Sequence, residues 1–373
     1  MKVLYITDAL AVWGGIERVL SDKMNYLVDY GYDVYVVTSD QGDHPIPFPL
    51  NERVHVHDLG IRFHQQYRYR GIKRIVKYFK FERLYRKRLK LYIDDICPDI
   101  ISCIRDSIVG NVLRVSGNTP VIFESHSLCN DLFFEKTTFL HRLLSYIGRL
   151  HFRKLDMIVT LTKGDADDWK RFCSRTCVIP NVVHLNDTDL FSECRSKEVI
   201  FVGRFDIQKN IGGLLDVWQI VQQSHPDWLL HVYGNGELQP FYEKEVVERK
   251  LNVIIHHAVS NIFDYYLKSS ILVMTSIYEP FGLVLVEAMS CGLPVIAFDS
   301  PYGPADIISD KIDGFLVDNN DVVSFASRIK YLIDNKELRI EMGRKGIQSS
   351  KRYTYDKIMP QWIHLFNRLV KTK

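Results

Sequence analysis

Glu279 and Glu287, eight residues apart in "EPFGLVLVEAMSCGLPV" (279–295), are the first residues of this chain to suggest chemistry. The second is surrounded by Leu283, Val284, Leu285, Val286, Ala288 and Met289. A carboxylate in apolar surroundings costs on the order of several kcal/mol unless a partner satisfies it. Three polar loops stand near this pair in the same half of the chain: "GRFDIQKN" (203–210) with Gly203, Arg204 and Lys209, "GNGEL" (234–238) with Gly234 and Gly236, and "IYEPFG" (277–282). Each has a plain alternative. Arg204 and Lys209 alone suit a solvated surface pair, "GNGEL" suits a tight turn, and Glu279 suits a helix N-terminus. Together, two cations, a glycine turn and a helix N-terminus at the same end of successive strands suit a diphosphate.

Carboxylates accept hydrogen bonds from vicinal hydroxyls and repel phosphates, so they belong at the two ends of such a ligand. A helix rises about 1.5 Å per residue. A nucleotide-sugar with its diphosphate on the first amides of a helix opening near Gly282 would bring its sugar to Glu279 and its ribose to Glu287. Elsewhere, His126 in "ESHS" stands at the end of an apolar run. A lone histidine there is more often structural than functional.

These loops need a scaffold of buried strands. The first half supplies "VLYIT" (3–7), "VYVVTS" (34–39), "IISCI" (100–104), "VIFES" (121–125) and "MIVTLT" (157–162), with helical stretches at 16–30, 72–93 and 136–154. The second half supplies "VIFVG" (199–203), "LLHVYG" (229–234), "VIIHHA" (253–258), "ILVMTS" (271–276), "PVIAFDS" (294–300) and "GFLVD" (314–318). Helices are expected between them at about 210–224, 239–250, 261–268 and 282–291. Uniformly apolar strands suit a parallel sheet covered on both faces, so the pattern predicts two doubly wound α/β units in tandem. The polar segment 179–198 holds the boundary. The tail from 321 reads as three helices, the last with Ile358, Trp362, Leu365, Phe366 and Leu369 on one stripe.

Composition agrees with a soluble chain: 373 residues, 46% hydrophobic, 25% charged and a net charge of +3. So small a charge gives no global attraction to nucleic acid. Seven scattered cysteines suit a reducing cytoplasm. Asp8 interrupts the apolar N-terminus, against a signal peptide, and Glu287 with its flanking glycines and prolines argues against a membrane span.

The Glu-x7-Glu segment preceded by "VGRFDIQKN" resembles the retaining glycosyltransferases of family 4. So do "WGGIERVL" (13–20) and "YGPADIISDKIDGFLV" (302–317), and the likeness spans essentially the whole chain. The resemblance implies the GT-B fold, two Rossmann-like domains facing across a cleft. Residues 1–182 would bind acceptor, 183–353 would bind nucleotide-sugar, and the helix 354–373 would return to the first domain. It implies that Arg204 and Lys209, beside Gly203, bind the donor diphosphate. Glu279 would take the donor sugar hydroxyls, with the amides of Phe281, Gly282 and Leu283 alongside, and Glu287 the ribose. Gly14 and Gly15 would let the first loop approach the phosphates, and His126 would stand near the anomeric centre. Tyr302 and Pro304 depart from many relatives, so sugar specificity is not carried over.

Metal ligation is the weaker reading. "DAD" (165–167) and "DTD" (187–189) imitate an Asp-x-Asp pair, and "HVH" (55–57) and "HH" (256–257) lack further ligands at workable spacing. Neither metal nor cofactor is expected. A nicotinamide dehydrogenase would need a glycine fingerprint that "DALAVWGGIE" lacks. Residues 61–90 carry twelve Lys or Arg against Glu82 alone, with aromatic residues interleaved. A solvated face, nucleic acid and an anionic membrane are the alternatives. The basic-aromatic mixture suits the membrane best, with Ile75, Phe79 and Tyr85 helping to cover the domain. The expected function is transfer of a hexose or N-acetylhexosamine from a UDP-sugar to a glycan acceptor, lipid-linked, in envelope or capsular polysaccharide assembly. The protein would be cytoplasmic, peripheral at the inner face of the membrane. A soluble transferase for a small acceptor and an inactive nucleotide-sugar-binding subunit are the rivals.

Overall fold

The computed structural model describes residues 1–129, 150–188 and 190–371. The helix expected over 136–154 lies mostly outside them; Leu150–Lys154 form a 3-10 turn. The chain divides into two compact units, Met1–Val182 with Ile358–Lys373, and Val183–Lys357.

Among the described residues the first unit holds seven strands, β1 (Lys2–Ile6), β2 (Asp33–Thr38), β3 (His55–Asp58), β4 (Ile100–Cys103), β5 (Val121–Glu124), β6 (Met157–Thr160) and β7 (Thr176–Val178). They run parallel in the order β3-β2-β1-β4-β5-β6-β7, with Val3 opposite both Val34 and Ile100. Helices α1 (Gly15–Asp29), α2 (Gly71–Ile96), α3 (Asp106–Val112) and α4 (Lys163–Lys170) connect them. The order reverses between β1 and β4, which opens a crevice at the carboxyl ends of those strands.

The sequence reading missed β3 and β7. In β3 the histidines of "HVH" stack on tyrosines, His55 on Tyr35 and His57 on Tyr92, so aromatic packing absorbs them. Helix α2 buries Tyr85, Leu89, Ile93 and Ile96. The expected covering role of Ile75 and Phe79 is incorrect, because they are 55% and 59% exposed. The inward stripe begins only where α2 meets the sheet.

The second unit repeats the order, β10-β9-β8-β11-β12-β13, from β8 (Glu198–Val202), β9 (Leu229–Tyr233), β10 (Val253–His256), β11 (Ile271–Met274), β12 (Val295–Phe298) and β13 (Gly314–Val317). Its helices are α5 (Ile211–Ser224), α6 (Gln239–Glu248), α7 (Phe263–Lys268), α8 (Leu283–Ser290), α9 (Gly303–Ile307), α10 (Val322–Asp334) and α11 (Lys336–Ser350). Asn210 caps α5 by accepting from Gly213 N at 3.1 Å. The last helix, α12 (Tyr355–Lys371), belongs from Ile358 onward to the first unit, where Ile358, Met359, Trp362, Leu365 and Phe366 are buried.

Candidate active site

In the second unit the sheet order reverses between β8 and β11, and the loops leaving those strands carry Arg204, Lys209 and Glu279. Hydrogen bonds to main-chain carbonyls fasten the two loops together. Ile277 N donates to Gln208 O at 2.9 Å, Gln208 Nε2 to Tyr278 O at 3.2 Å, and Thr275 Oγ1 to Lys209 O at 3.1 Å. The side chains meet as a result: Lys209 Nζ is ion-paired with Glu279 Oε2, which also accepts from Ser276 Oγ at 3.1 Å. The buried Glu279 carboxylate therefore has a cation of its own, and Lys209 keeps further N–H donors for a phosphate. Arg204 stays mostly exposed, steered by Asp206 Oδ2 at 2.9 Å and Gln208 Oε1 at 3.1 Å.

Residues 301–303 hold Glu279 from the main chain. Glu279 N donates to Pro301 O at 2.7 Å, and Glu279 O accepts from Tyr302 N at 3.1 Å and Gly303 N at 2.8 Å. Gly282, at φ +104°, turns the chain into α8 in a conformation that disfavours a side chain. Leu283 opens that helix, whose first amides lack intrahelical partners. Phe281 is buried with its ring against Tyr353, so only its backbone faces the loop. Glu287 is buried within α8, its Oε2 3.3 Å from Tyr266 Oη on α7.

The loops after β8 and β9 close on each other, Gly203 N donating to Tyr233 O at 3.0 Å and Phe205 N to Asn235 O at 2.9 Å. A Cβ at Gly234 would stand 1.9 Å from Gly203 O, so this approach alone requires glycine there. Gly236 packs against the Phe205 backbone in the same turn.

In the first unit, Gly14 caps α1 and Gly15 opens it. His126 follows β5 with its side chain 4% exposed and Nε2 3.4 Å from Glu124 Oε2. Its Nδ1 has no hydrogen-bond partner among the described residues. The surrounding loop is held by Asp165, which accepts from Cys129 N at 2.7 Å and Ser125 Oγ at 3.1 Å. Trp169 Nε1 donates to the same hydroxyl at 3.0 Å. Burial raises the Asp165 carboxyl to about 6. The first acid of "DAD" is thus a clamp on the His126 loop, while Asp167 pairs outside with Lys170. Asp189 of "DTD" lies outside the described residues, and His256 of "HH" meets His231 at 3.0 Å. Among the described residues no group of three or more His, Cys, Asp or Glu is placed to hold a metal.

Sequence reasoning missed the partners of His126. Glu124 is ion-paired with Lys23 and accepts from Ser102 Oγ at 2.5 Å, all three residues being buried. Burial pushes this carboxyl up, but Lys23 and His126 together bring it down to about 2. Burial lowers Lys23, whose Nζ lies 3.9 Å from the centre of the Trp362 ring. A signal was present: Lys23 interrupts the inward stripe of Val19, Leu20, Met24 and Leu27, and Glu124 ends an apolar strand.

The glycosyltransferase family 4 model matches residues 13–187, and the model for glycosyl transferases group 1 matches residues 188–349. The chain belongs to the glycosyltransferases these two models describe. It is 28% identical to an uncharacterized glycosyltransferase of Haemophilus influenzae, covering 94% of this chain and 95% of that one. It is 27% identical to the amylovoran biosynthesis glycosyltransferase AmsD of Erwinia amylovora, covering 98% and 99%. It is 24% identical to a Campylobacter jejuni α-1,4-N-acetyl-D-galactosaminyltransferase acting on a diNAcBac-PP-undecaprenol-linked saccharide, covering 98% of each. In fold it is similar to sucrose-phosphate synthase of Thermosynechococcus elongatus, with TM-score 0.82, 21% identity and full coverage of both chains. It is similarly close to Staphylococcus aureus TarM, crystallised with UDP, with TM-score 0.80, 17% identity and coverage of 98% and 99%. Among the described residues no helix is long and apolar enough to cross a membrane.

Proposed function

We propose that this chain is a retaining, metal-independent glycosyltransferase that moves a hexose or N-acetylhexosamine from a UDP-sugar to a lipid-linked glycan during envelope or capsular polysaccharide assembly. The observation that carries the reading is the Lys209–Glu279 pair beside the amino end of α8, with Glu287 buried one helical turn further on. Lys209 and Arg204 take the diphosphate, Glu279 the sugar hydroxyls and Glu287 the ribose. The bound UDP of TarM and the polyprenol-linked acceptor of the Campylobacter relative support the choice of donor and acceptor.

In the reaction the acceptor oxygen bonds to the anomeric carbon on the face from which the diphosphate departs. The bond from that carbon to the phosphate oxygen breaks, and the acceptor proton passes to the leaving phosphate. Arg204, Lys209 and the helix amides stabilise charge as it develops on that group, as preorganised donors do. His126, held by the Glu124 network, acts near the anomeric centre. The exposed basic and apolar face of α2 docks the protein on the anionic inner leaflet.

The test is a thermal-shift screen of nucleotide-sugars, followed by transfer assays with and without EDTA. UDP and one UDP-sugar should raise the melting temperature by mass action, and EDTA should leave transfer unchanged. Activity that vanishes with EDTA and returns with manganese sinks the metal-free part; no stabilisation by any nucleotide-sugar sinks the donor assignment.

A further inference from the structure

The loop after β8 carries one acid, Asp206, between the two cations proposed for the donor diphosphate. Its neighbour Phe205 is fully buried and pinned through its main chain, N donating to Asn235 O at 2.9 Å and O accepting from Leu238 N at 3.2 Å. Arg204 and Asp206 flank that anchor and meet each other. Arg204 Nη2 lies 2.9 Å from Asp206 Oδ2, and Asp206 N donates to Arg204 O at 3.0 Å. The second carboxylate oxygen, Oδ1, accepts from Lys209 N at 3.0 Å. One carboxyl group thus holds the Arg204 side chain with one oxygen and the Lys209 main chain with the other. Gln208 completes the hold, its Oε1 accepting from the same Nη2 at 3.1 Å while its Nε2 donates to Tyr278 O. Among the described residues Nε and Nη1 of Arg204 have no partner, so their N–H groups remain for a phosphate.

A carboxylate in this position works against an anion. The side chains of Arg204 and Asp206 are 66% and 36% exposed, and so open an ion pair adds little stability. What the carboxyl contributes is therefore geometry and charge. Donor and product differ in charge as well as in the sugar. In a nucleotide-sugar the diphosphate is esterified at both ends. Once the bond to the anomeric carbon breaks, the product ends in a free phosphate whose second ionisation falls at about 6, as in phosphate monoesters. The proton that this phosphate takes from the acceptor is then released to water near neutral pH. The product consequently carries about one more negative charge than the donor. A carboxylate fixed beside the cations opposes that extra charge and disturbs the donor less.

Resting on the donor reading, we infer that Asp206 is a positioning residue for Arg204 and Lys209 whose charge also favours nucleotide-sugar over free nucleoside diphosphate, so that product does not hold the site.

The experiment is calorimetric titration of the full chain, and of its Asp206→Asn and Asp206→Glu variants, with two probes: UDP and the methyl ester of its terminal phosphate. The ester keeps the donor's charge and carries no sugar. The ratio of the two dissociation constants therefore reads charge, and cancels any loosening of Arg204 that weakens both probes alike. At low salt and about pH 7.5, Asp206→Asn should shift that ratio in favour of UDP by about threefold. Asp206→Glu, which keeps the charge, should keep the parent's ratio. At about pH 5.5, where UDP gives up most of its extra charge, the shift should shrink. A purely structural carboxyl would move both probes together at either pH. An unchanged ratio or the loss of both probes in Asp206→Asn, an equal shift in Asp206→Glu, or a shift that persists at the lower pH overturns the inference, while UDP binding by the parent keeps the donor reading. A parent that binds neither probe overturns both.

Discussion

Lys209 and Glu279 show how far one contact constrains a site. Each is largely enclosed, so removing one partner leaves the other as an uncompensated charge. Breaking a buried pair from one side costs about 3–5 kcal/mol, whereas removing both is far milder. Lys209→Ala should therefore destabilise the second unit more than the Lys209→Ala, Glu279→Ala double variant does, as measured by denaturant titration. A double variant whose loss equals the sum of the singles would mean that the pair carries no coupling. Function separates along a different line. Glu287→Ala should weaken UDP by roughly 1–3 kcal/mol, the scale of hydrogen bonds to charged groups. Glu279→Ala should leave UDP affinity nearly intact and depress transfer. Calorimetry with free UDP beside a transfer assay reads both, and variants that bind and turn over like the parent would remove the hydroxyl roles.

At the scale of elements, α2 and α4 each do something their sequences only half disclose. The apolar strands were legible because burial on both faces leaves almost no polar positions in them, and the Glu-x7-Glu helix was legible because its acids break such a run. Strands β3 and β7 were not, since "HVHD" and "TCV" carry too little apolar signal on a sheet edge. The Lys23–Glu124 pair escaped because its residues lie 101 apart and only the tertiary fold unites them. In α2 the buried stripe begins at Tyr85, later than the apolar positions of its sequence suggest. With Ile72, Ile75, Val76 and Phe79 exposed beside Lys73, Lys80, Arg83 and Lys87, this face has the amphipathic, basic chemistry of an interfacial helix. Changing Lys73, Lys80, Arg83 and Lys87 to Glu should release the protein from anionic vesicles, since each cation near the headgroups is worth about 1 kcal/mol at low salt. Co-sedimentation that ignores both salt and charge reversal would leave the face merely solvated. The α4 acid makes the opposite kind of prediction, one about pH. Asp165 is raised from 3.8 to about 6, so its share of stability is full below pH 3.8 and is lost as pH rises through about 6. That loss is on the order of 2–3 kcal/mol. Asp165→Asn keeps an acceptor for Cys129 N–H and should flatten the stability of the first unit between pH 4 and 6; an unchanged slope would place the titration elsewhere.

For the molecule as a whole, the chain builds its first unit from both ends. Residues 358–371 return five buried side chains to it, and Trp362 lays its ring against Lys23, which pairs with the Glu124 beside His126. The candidate catalytic histidine is therefore tied to the last helix through an ion pair and an aromatic face, while the proposed nucleotide loops belong to the other unit. Trp362→Ala should cost the first unit about 3–5 kcal/mol, as large-to-small core changes do. Glu124 makes that unit acid-sensitive in a defined direction. Its carboxyl is lowered from 4.5 to about 2, so its contribution is present above pH 4.5 and lost as pH falls toward 2. Differential scanning calorimetry with and without UDP separates the units: ligand should raise only the transition of Val183–Lys357, and Trp362→Ala should lower only the other. Trp362→Ala should also reduce transfer while UDP affinity holds. A variant that weakens UDP as much as it weakens transfer, or that lowers both transitions equally, would show that the last helix supports the molecule in general rather than the His126 network in particular.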